Sequence, residues 1–271
     1  MTFDDLPPLR EGLVAAGLTA RKSFGQHFLL DLNITRKIVR LAELKSGETV
    51  IEVGPGPGGL TRALLEAGAR VVAIEADARF LPLLETLAAR VPGRLDIRHA
   101  DALTIDPSTL PSGAPIVANL PYNVGTPLLV GWLTGPLRPG PMTLMFQKEV
   151  SDRIVARPGS KTYGRLSVLA QALAETRIVM ELPPRAFTPP PKVASAVVRL
   201  TPRRDPPSDA SIEALQRLTA AAFGQRRKML RSSLAPLGGE RLCAAASVDP
   251  NARAETVPVA TFVEMAMRLA H

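Results

Sequence analysis

Asn119, Leu120, Pro121 and Tyr122 are consecutive in the sequence, and together they offer what a planar amino group needs from a protein. The Asn119 side-chain oxygen and the Leu120 carbonyl are expected to accept the two N6 hydrogens of an adenine, which aims the nitrogen lone pair at an incoming methyl group. Pro121 fixes the turn and favours an extended Leu120. Tyr122 is predicted to stack on a base flipped out of its helix. These four residues are the predicted catalytic set for methylation of an exocyclic amine.

A glycine-rich turn, E-V-G-P-G-P-G-G at residues 52–59, follows an apolar strand and opens a helix, and glycine permits the close backbone approach that nucleotide-cofactor turns need. Glu75 closes the next strand about 20 residues later, where a carboxylate typically accepts ribose hydroxyls. Asp101 ends a third strand and is expected to bond an adenine amino group. The glycines and Glu75 also fit NAD, whereas Asp101 favours S-adenosylmethionine. The predicted cofactor ligands in these segments are Gly54, Gly56, Glu75, Ala76, Asp101, Ala102 and Asn119.

These residues need a frame that brings strand ends together, and the hydrophobic pattern predicts one. Short apolar strands are predicted at residues 49–53, 71–74, 95–99, 115–118 and 143–146, and they alternate with helices at 32–44, 60–67 and 79–89. Two further strands are predicted at 177–181 and 194–200. Such alternation predicts an α/β fold, in which a parallel sheet carries helices on both faces. Because the carboxyl ends of parallel strands share one edge, both predicted sites are expected to line one crevice.

The composition changes at residues 201–207, T-P-R-R-D-P-P, which we interpret as a linker. Beyond it the chain has helical periodicity and no convincing strand, with helices predicted at 212–223, 225–234, 239–246 and 259–269. The predicted organisation is a larger domain over residues 1–202, which carries an N-terminal arm and the cofactor site, and a smaller all-α domain over residues 203–271.

Charge and composition restrict the class of protein. The chain has 271 residues, a net charge of +8 and a pI of about 10.2, which favours a polyanionic partner such as nucleic acid. The single cysteine, Cys243, excludes an intramolecular disulfide and a thiolate metal cluster, and we expect no metal. The first residues are acidic where a secretion signal would be basic, and no apolar run is long enough to cross a bilayer. We therefore expect a cytoplasmic monomer without a membrane partner.

Basic residues cluster at several points of the sequence. Residues 225–228, Q-R-R-K, and Arg231 concentrate cations at the predicted start of a helix. Phosphate contacts of this kind provide affinity and salt dependence, whereas RNA shape and a flipped base provide specificity. A solvated basic surface is the alternative interpretation. The predicted RNA-binding residues are Lys148, Arg153, Lys192, Arg226, Arg227, Lys228 and Arg231.

In this order the motifs resemble those of the KsgA-type ribosomal RNA adenine dimethyltransferases, and they span most of the chain. Besides the glycine turn, Glu75, Asp101 and N-L-P-Y at 119–122, the resemblance rests on three segments: F-G-Q-H-F-L at 24–29, F-T-P-P-P-K-V-A-S-A-V at 187–197 and F-G-Q-R-R-K-M-L-R at 223–231. The resemblance implies a Rossmann-like class I methyltransferase domain with a mostly parallel seven-stranded sheet. It also implies S-adenosylmethionine as the cofactor and S-adenosylhomocysteine as its product.

For individual residues, the resemblance implies that Gln26 contacts the cofactor and that His27 and Leu29 help enclose its methionine end. The family carries either Asn or His at the position of His27. It implies that Phe187 sandwiches the target adenine against Tyr122, a type of stacking worth roughly 1–3 kcal/mol per base. The implied reaction dimethylates two adjacent adenines in the 3′-terminal hairpin of 16S rRNA. The implied partner is the small ribosomal subunit or a late assembly intermediate, with a role in subunit biogenesis.

Other functions stay open at this stage. The same chemistry could act on large-subunit rRNA and confer macrolide resistance, although segments 187–193 and 225–228 favour the small-subunit group. A ribosome-assembly factor could depend more on binding than on methylation. An NAD dehydrogenase would need hydride-handling residues that the sequence does not show. Single residues also have structural interpretations, since Asp101 could cap a helix, Asn119 could belong to a turn and Tyr122 could be a half-buried core residue.

Overall fold

The computed structural model describes residue 3 and residues 6–20, 25–225 and 227–270. The strands in these ranges are β1 (Phe28–Leu29), β2 (Thr49–Val53), β3 (Arg70–Glu75), β4 (Leu95–His99), β5 (Ile116–Asn119), β6 (Met142–Gln147), β7 (Ala174–Leu182), β8 (Phe187–Thr188) and β9 (Ser195–Pro202). The α-helices are α1 (Leu9–Ala15), α2 (Leu32–Ala42), α3 (Gly59–Glu66), α4 (Leu81–Arg90), α5 (Gly125–Thr134), α6 (Lys148–Ile154), α7 (Arg165–Leu173), α8 (Asp209–Gly224), α9 (Leu230–Ser233), α10 (Gly239–Ala245) and α11 (Val259–Ala270).

Seven of the strands form one sheet in the order β4-β3-β2-β5-β6-β9-β7. The pairs β2–β3, β3–β4, β2–β5 and β5–β6 are parallel, which confirms a mostly parallel seven-stranded sheet. The chain first builds outward from β2 through β3 to β4, and then crosses to the other side of β2 with β5. A crevice opens beyond the carboxyl ends of the strands at such a reversal, and ligands of α/β sheets bind there.

Strand β2 illustrates how the sequence produces this sheet. Val50, Ile51 and Val53 are each at most 5% exposed, because both faces of a parallel sheet are covered and β-branched side chains pack well there. The helix before it, α2, begins where the Asp31 side chain accepts a hydrogen bond from the Asn33 backbone at 2.8 Å. Because helices alternate with these buried strands along the chain, the carboxyl end of each parallel strand lies at the crevice.

The chain divides into two compact units. The first contains the residues up to Trp132 together with Pro136–Ser151 and Ile178–Arg199, and the second contains Leu133–Gly135, Asp152–Arg177 and Leu200–His271. The second unit therefore includes α7 as well as the C-terminal helices. The boundary between residues 202 and 203 stays a prediction.

Within the second unit, α7, α8 and α11 pack together. The ring of Phe223 lies 6.0 Å from that of Tyr163 and 5.6 Å from that of Phe262, between ring centroids. The buried Tyr163 hydroxyl donates a hydrogen bond to the Val257 carbonyl at 2.9 Å, so its polar atom is satisfied. The C-terminal region is helical, as the sequence predicted.

The predicted helix at residues 225–234 is wrong over its first half. Helix α8 ends at Gly224, and Gln225 has φ −132° and ψ 76°, outside the helical region. Met229 is extended and pairs with Arg253 in an antiparallel bridge, so α9 covers only Leu230–Ser233. The cations at 227 and 228 thus lie in a connecting segment and not at the start of a helix.

The physical reason is tertiary pairing. The Leu230 backbone donates to the Ala252 carbonyl and the Arg231 backbone to the Pro250 carbonyl, both at 2.9 Å. These bonds satisfy the backbone donors that an upstream helical turn would otherwise have used. Of the residues that the sequence singled out, Arg226 and Phe24 lie outside the described ranges.

Candidate active site

A cavity of about 290 Å³ lies at the carboxyl ends of β2, β3, β4 and β5. The loop before β1 and the segment after β5 complete its lining. Both halves of the predicted chemistry therefore open into one space. The predicted site residues that line it are Gln26, His27, Gly54, Gly56, Glu75, Ala76, Asp101, Ala102, Asn119, Leu120, Pro121 and Tyr122.

The glycine turn after β2 has a backbone that other residues adopt only with strain. Gly54 has φ +70° and Gly56 has φ +53°, both in the left-handed region. A Cβ at Gly56 would lie 3.4 Å from the Phe28 ring, which is an ordinary contact distance. The glycines are therefore needed for the backbone conformation, which presents main-chain groups to the cavity, more than for clearance.

Glu75, at the end of β3, connects this turn to the neighbouring strand. It is 5% exposed, and its two carboxylate oxygens accept hydrogen bonds from the backbones of Gly56 at 2.9 Å and Asp77 at 2.8 Å. Burial raises the pKa of Glu75, and these two backbone donors oppose the shift because they stabilise the charged form. Each oxygen keeps acceptor capacity for a ligand hydroxyl.

A charged cluster links the loop before β1 to the segment after β3. The Gln26 side-chain amide donates to Asp77 at 3.0 Å, and the Arg79 guanidinium bonds Asp77 at 2.8 Å. Arg79 lowers the pKa of Asp77 to about 2; burial opposes this effect and Gln26 reinforces it. Asp77 thus anchors Gln26. The sequence did not indicate this role, because no local pattern around Asp77 shows that its partner is residue 26.

Asp101 follows β4 and lies at the cavity in a turn of its own making. Its Oδ1 accepts a hydrogen bond from the Leu103 backbone at 2.9 Å, and the Asp101 carbonyl accepts from the backbones of Thr104 and Ile105. Asp101 therefore caps a turn, and no helix begins there in this described part of the chain, so the alternative interpretation of Asp101 as a helix cap is wrong. Because a carboxylate has two oxygens, capping leaves acceptor capacity for an adenine amino group.

Asn119 and Tyr122 are held by residues far away in the sequence. The Asn119 Nδ2 donates to the His27 carbonyl at 3.2 Å, which commits the donor end of the amide and leaves Oδ1 as the acceptor. The Tyr122 hydroxyl lies 2.5 Å from the Ser195 Oγ, and its ring stacks on the His27 ring at 5.2 Å between centroids. Burial raises the pKa of Tyr122, and the Ser195 bond opposes the shift.

Leu29 and Phe187 have a different placement from the other predicted residues. They face each other in the antiparallel pair of β1 and β8, and they are 5% and 3% exposed. Both belong to the hydrophobic core of the first unit, and neither is among the described residues that line the cavity. Their contacts with cofactor and base stay predictions. Phe28, between His27 and Leu29, does line the cavity.

Ser195 is the main site residue that the sequence analysis missed. It is fully buried at the start of β9 and contacts Tyr122 across 73 residues of sequence. Its segment belongs to the F-T-P-P-P-K-V-A-S-A-V motif, but a small hydroxyl residue in an apolar strand carries no sign of such a partner.

The predicted RNA-binding residues are distributed over both units. In the first unit, Lys148 forms an ion pair with Glu181 at 3.0 Å and Lys192 is exposed. The second unit carries the exposed residues Arg153, Arg227, Lys228 and Arg231.

Within the described ranges, no helix combines the length and apolar character that a membrane crossing requires. Over the same ranges, histidine, cysteine and carboxylate side chains form no group of three or more that could hold a metal ion.

Comparisons with known proteins agree on one family. The model of the ribosomal RNA adenine dimethylase family matches residues 17–271. The "Ribosomal RNA small subunit methyltransferase A" of Phenylobacterium zucineum is 65% identical over 98% of this chain and 94% of its own length. A dimethyladenosine transferase from Plasmodium falciparum has the same fold, with a TM-score of 0.74 and 24% identity over 88% of this chain and 96% of its own. The 23S rRNA methyltransferase ErmE has a TM-score of 0.67 and 27% identity over 90% of this chain and 100% of its own. This chain belongs to the ribosomal RNA adenine dimethylase family of methyltransferases.

Proposed function

We propose that this enzyme binds S-adenosylmethionine and dimethylates N6 of two adjacent adenines in the 3′-terminal hairpin of 16S rRNA. The observation that carries the proposal is the convergence of Glu75 and Asp101 with Asn119 and Tyr122 on one cavity. The relative that is 65% identical over nearly the whole chain is named for the small subunit, which supports the target.

The cavity residues fit S-adenosylmethionine. Gly54 and Gly56 of the glycine turn line the cavity, and the buried Glu75 keeps acceptor capacity on both carboxylate oxygens. When bound, the cofactor would supply an electrophilic methyl group. Its methionine part would be held by Gly54, Gly56, Gln26, His27 and Leu29. Glu75 would bind the ribose. The adenine would be held by Ala76, Asp101 and Ala102.

On the substrate side, Asn119 and Leu120 act on the target amine. The Asn119 Oδ1 and the Leu120 carbonyl accept its two hydrogens, which directs the nitrogen lone pair into the cavity. After one methylation the amine retains a single N–H, so one of the two acceptors is enough to orient the second reaction. Tyr122 and Phe187 hold the flipped adenine. The amine loses its proton only after attack, so the reaction requires neither a metal nor a general base.

RNA affinity comes from cations outside the cavity. The proposed contacts are Lys148, Arg153, Lys192, Arg226, Arg227, Lys228 and Arg231, which neutralise phosphates without reading sequence. The partner is the small ribosomal subunit or a late assembly intermediate, the enzyme acts as a cytoplasmic monomer, and its binding contributes to subunit biogenesis.

Large-subunit rRNA is the second candidate target, because ErmE shares the fold and 27% of aligned residues. The small-subunit relative is far more similar, at 65% identity, and so favours the first target.

The test is methyl transfer from labelled S-adenosylmethionine to small and large subunits that lack the modification, followed by mapping of the product nucleosides. We expect N6,N6-dimethyladenosine at two adjacent positions in the 3′-terminal hairpin of 16S rRNA. Label in large-subunit rRNA alone would refute the target, and label in neither would favour a pure assembly factor.

A further inference from the structure

His27 contacts three separate parts of the proposed base site. Its carbonyl accepts a hydrogen bond from the Asn119 side chain at 3.2 Å. Its ring stacks on Tyr122, with 5.2 Å between centroids and an interplanar angle of 30°. Its Nδ1 lies 2.8 Å from the carbonyl oxygen of Pro189. Asn119 and Tyr122 therefore both contact His27, Asn119 through the His27 backbone and Tyr122 through the His27 ring.

The contact with Pro189 fixes the orientation of the His27 ring. A carbonyl oxygen only accepts hydrogen bonds, so Nδ1 carries the proton in this contact. The bond holds in the neutral and in the protonated ring, since Nδ1–H is present in both. A ring held at one edge by a hydrogen bond and on one face by Tyr122 has little freedom to rotate.

The register of β1 and β8 explains why His27 is available for these contacts. Phe28 pairs with Thr188 and Leu29 with Phe187, so His27 and Pro189 would form the next pair along the ribbon. Proline has no backbone N–H and cannot donate to the His27 carbonyl. That carbonyl instead accepts from the Asn119 side chain, and the His27 ring donates separately to the Pro189 carbonyl.

Tyr122 is consequently fixed at two points. Its hydroxyl bonds the buried Ser195, and one ring face is covered by His27. The opposite face is the one left for a stacked base. A displaced His27 ring would free the Tyr122 ring and loosen the backbone carbonyl that orients the Asn119 amide.

We propose that His27 is a positioning residue of the base site, which holds Asn119 and Tyr122 in their working orientation by bonding Pro189. This inference rests on the proposed adenine methylation, and it gives His27 a role beyond enclosing the cofactor. It predicts that loss of the ring lowers turnover more than cofactor affinity. It also predicts that a side chain able to donate to Pro189 restores part of the turnover.

The first test compares His27→Ala and His27→Asn with the wild type on small subunits that lack the modification. For His27→Ala we expect kcat to fall about tenfold or more, and the dissociation constant of S-adenosylmethionine, which His27 is also proposed to contact, to rise by a clearly smaller factor. For His27→Asn we expect an unchanged pH–rate profile and a kcat within about threefold of the wild type, because the asparagine amide N–H reaches toward Pro189.

Unaltered kcat in His27→Ala, or a loss of cofactor affinity as large as the loss of kcat, would overturn the proposal. So would loss of the acidic limb of the profile in His27→Asn, which would indicate a general base.

A second measurement needs no substrate and separates this inference from the proposed function. The chain has two tyrosines, Tyr122 and Tyr163, so a spectrum of protein labelled only in tyrosine rings has two sets of signals. We expect His27→Ala to shift and broaden the Tyr122 signals and to leave those of the buried Tyr163 in place. A shift alone would reflect the lost ring current of His27, so Tyr122 signals that stay sharp would refute the positioning role even if methylation is confirmed. Broadened Tyr122 signals would support it whichever rRNA is the target.

Discussion

The two halves of the cavity are assembled in different ways. On the proposed cofactor side, Glu75 bonds the backbones of Gly56 and Asp77, which are 19 and 2 residues away in sequence. On the proposed base side, Asn119 bonds His27 across 92 residues, Tyr122 bonds Ser195 across 73 and His27 contacts Pro189 across 162. Apart from the bond between Gln26 and Asp77 across 51 residues, the cofactor half depends on neighbouring strand ends of one sheet, whereas the base half exists only once distant segments have met.

This difference suggests that cofactor binding and turnover can be separated by mutation. A change on the cofactor side should weaken binding while the base side remains formed. A change on the base side should lower turnover while the cofactor still binds. Substitutions that violate this separation would show that the two halves form one cooperative unit.

The largest effect is expected for Asn119→Ala. The alanine lacks the acceptor that orients the amine, and misplacement of a reacting group can cost about 100-fold in rate. We expect kcat to fall by about that factor, with the S-adenosylmethionine dissociation constant changed less than about threefold by calorimetry. Asn33→Ala, at an exposed position of α2, is the matched control. A wild-type kcat in Asn119→Ala would remove the acceptor role.

Glu75→Gln should give the opposite pattern. The neutral amide cannot accept from both the Gly56 and Asp77 backbones, and hydrogen bonds to charged groups are worth about 1.5–3 kcal/mol. We expect S-adenosylmethionine to bind about tenfold or more weakly, while kcat at saturating cofactor changes little. Glu85→Gln, on the exposed side of α4, controls for the substitution itself. Lowered kcat with unchanged cofactor binding would reverse the assignment of Glu75.

Tyr122→Phe and Ser195→Ala test one long-range bond from both ends. Each removes the hydrogen bond between the two hydroxyls but keeps the Tyr122 ring for stacking. A bond of this type contributes about 1 kcal/mol, which corresponds to a reduction of about fivefold in kcat. The double variant should lose no more than either single variant, because both remove the same bond. Additive losses would mean that Ser195 acts on the site by another route.

Arg227→Ala combined with Lys228→Ala should spare both halves of the cavity. These exposed residues are proposed to contact phosphates only, so KM for the small subunit should rise with salt less steeply than in the wild type. The slope of log KM against log salt should fall by about 0.7–0.9 for each phosphate that the variant no longer neutralises. Lys37→Ala with Arg40→Ala on α2 is the matched control. An unchanged slope would remove Arg227 and Lys228 from the RNA surface.

The same contrast explains how much of the site could be predicted from the sequence. Gly54, Gly56, Glu75 and Asp101 follow successive strands, and parallel strands put their carboxyl ends on one edge, so spacing alone placed them together. The contact between Tyr122 and Ser195 depends on where β9 joins the sheet, which no local pattern encodes. The pair of β1 and β8 has two residues in each strand, too few for a hydrophobic period.

The fold shows the same limit outside the site. Helices α2 and α8, each with a side-chain cap at its start, were predicted to within three residues of their bounds, because their stability depends on their own residues and one packed face. The helix at 225–234 was wrong because Leu230 and Arg231 bond the backbones of Ala252 and Pro250, about 20 residues further along the chain. Backbone bonds to distant residues compete with helix formation, and the hydrophobic periodicity of the segment does not show this competition.

The smallest effect on activity is expected for Glu52→Gln, at the start of the glycine turn. This substitution should instead change the stability of the folded protein. Glu52 is 1% exposed, and its Oε2 has no hydrogen-bond partner among the described residues. Burial raises the pKa of Glu52 from 4.5 to about 8; the Thr61 hydroxyl opposes this shift and the charge on Glu75 adds to it. The protonated side chain is thus favoured in the folded protein.

The sign of the pH dependence follows from this pKa. Because the folded state holds the proton more tightly than the unfolded state, the stabilisation is complete below pH 4.5 and is lost as the pH rises to about 8. Glutamine cannot ionise, so the melting temperature of Glu52→Gln should exceed that of the wild type increasingly from pH 5 to pH 8. A constant difference over this range would mean that Glu52 is charged in the folded protein. In that case the glycine turn would be built around a buried carboxylate, and the cofactor half would depend on a partner for that charge.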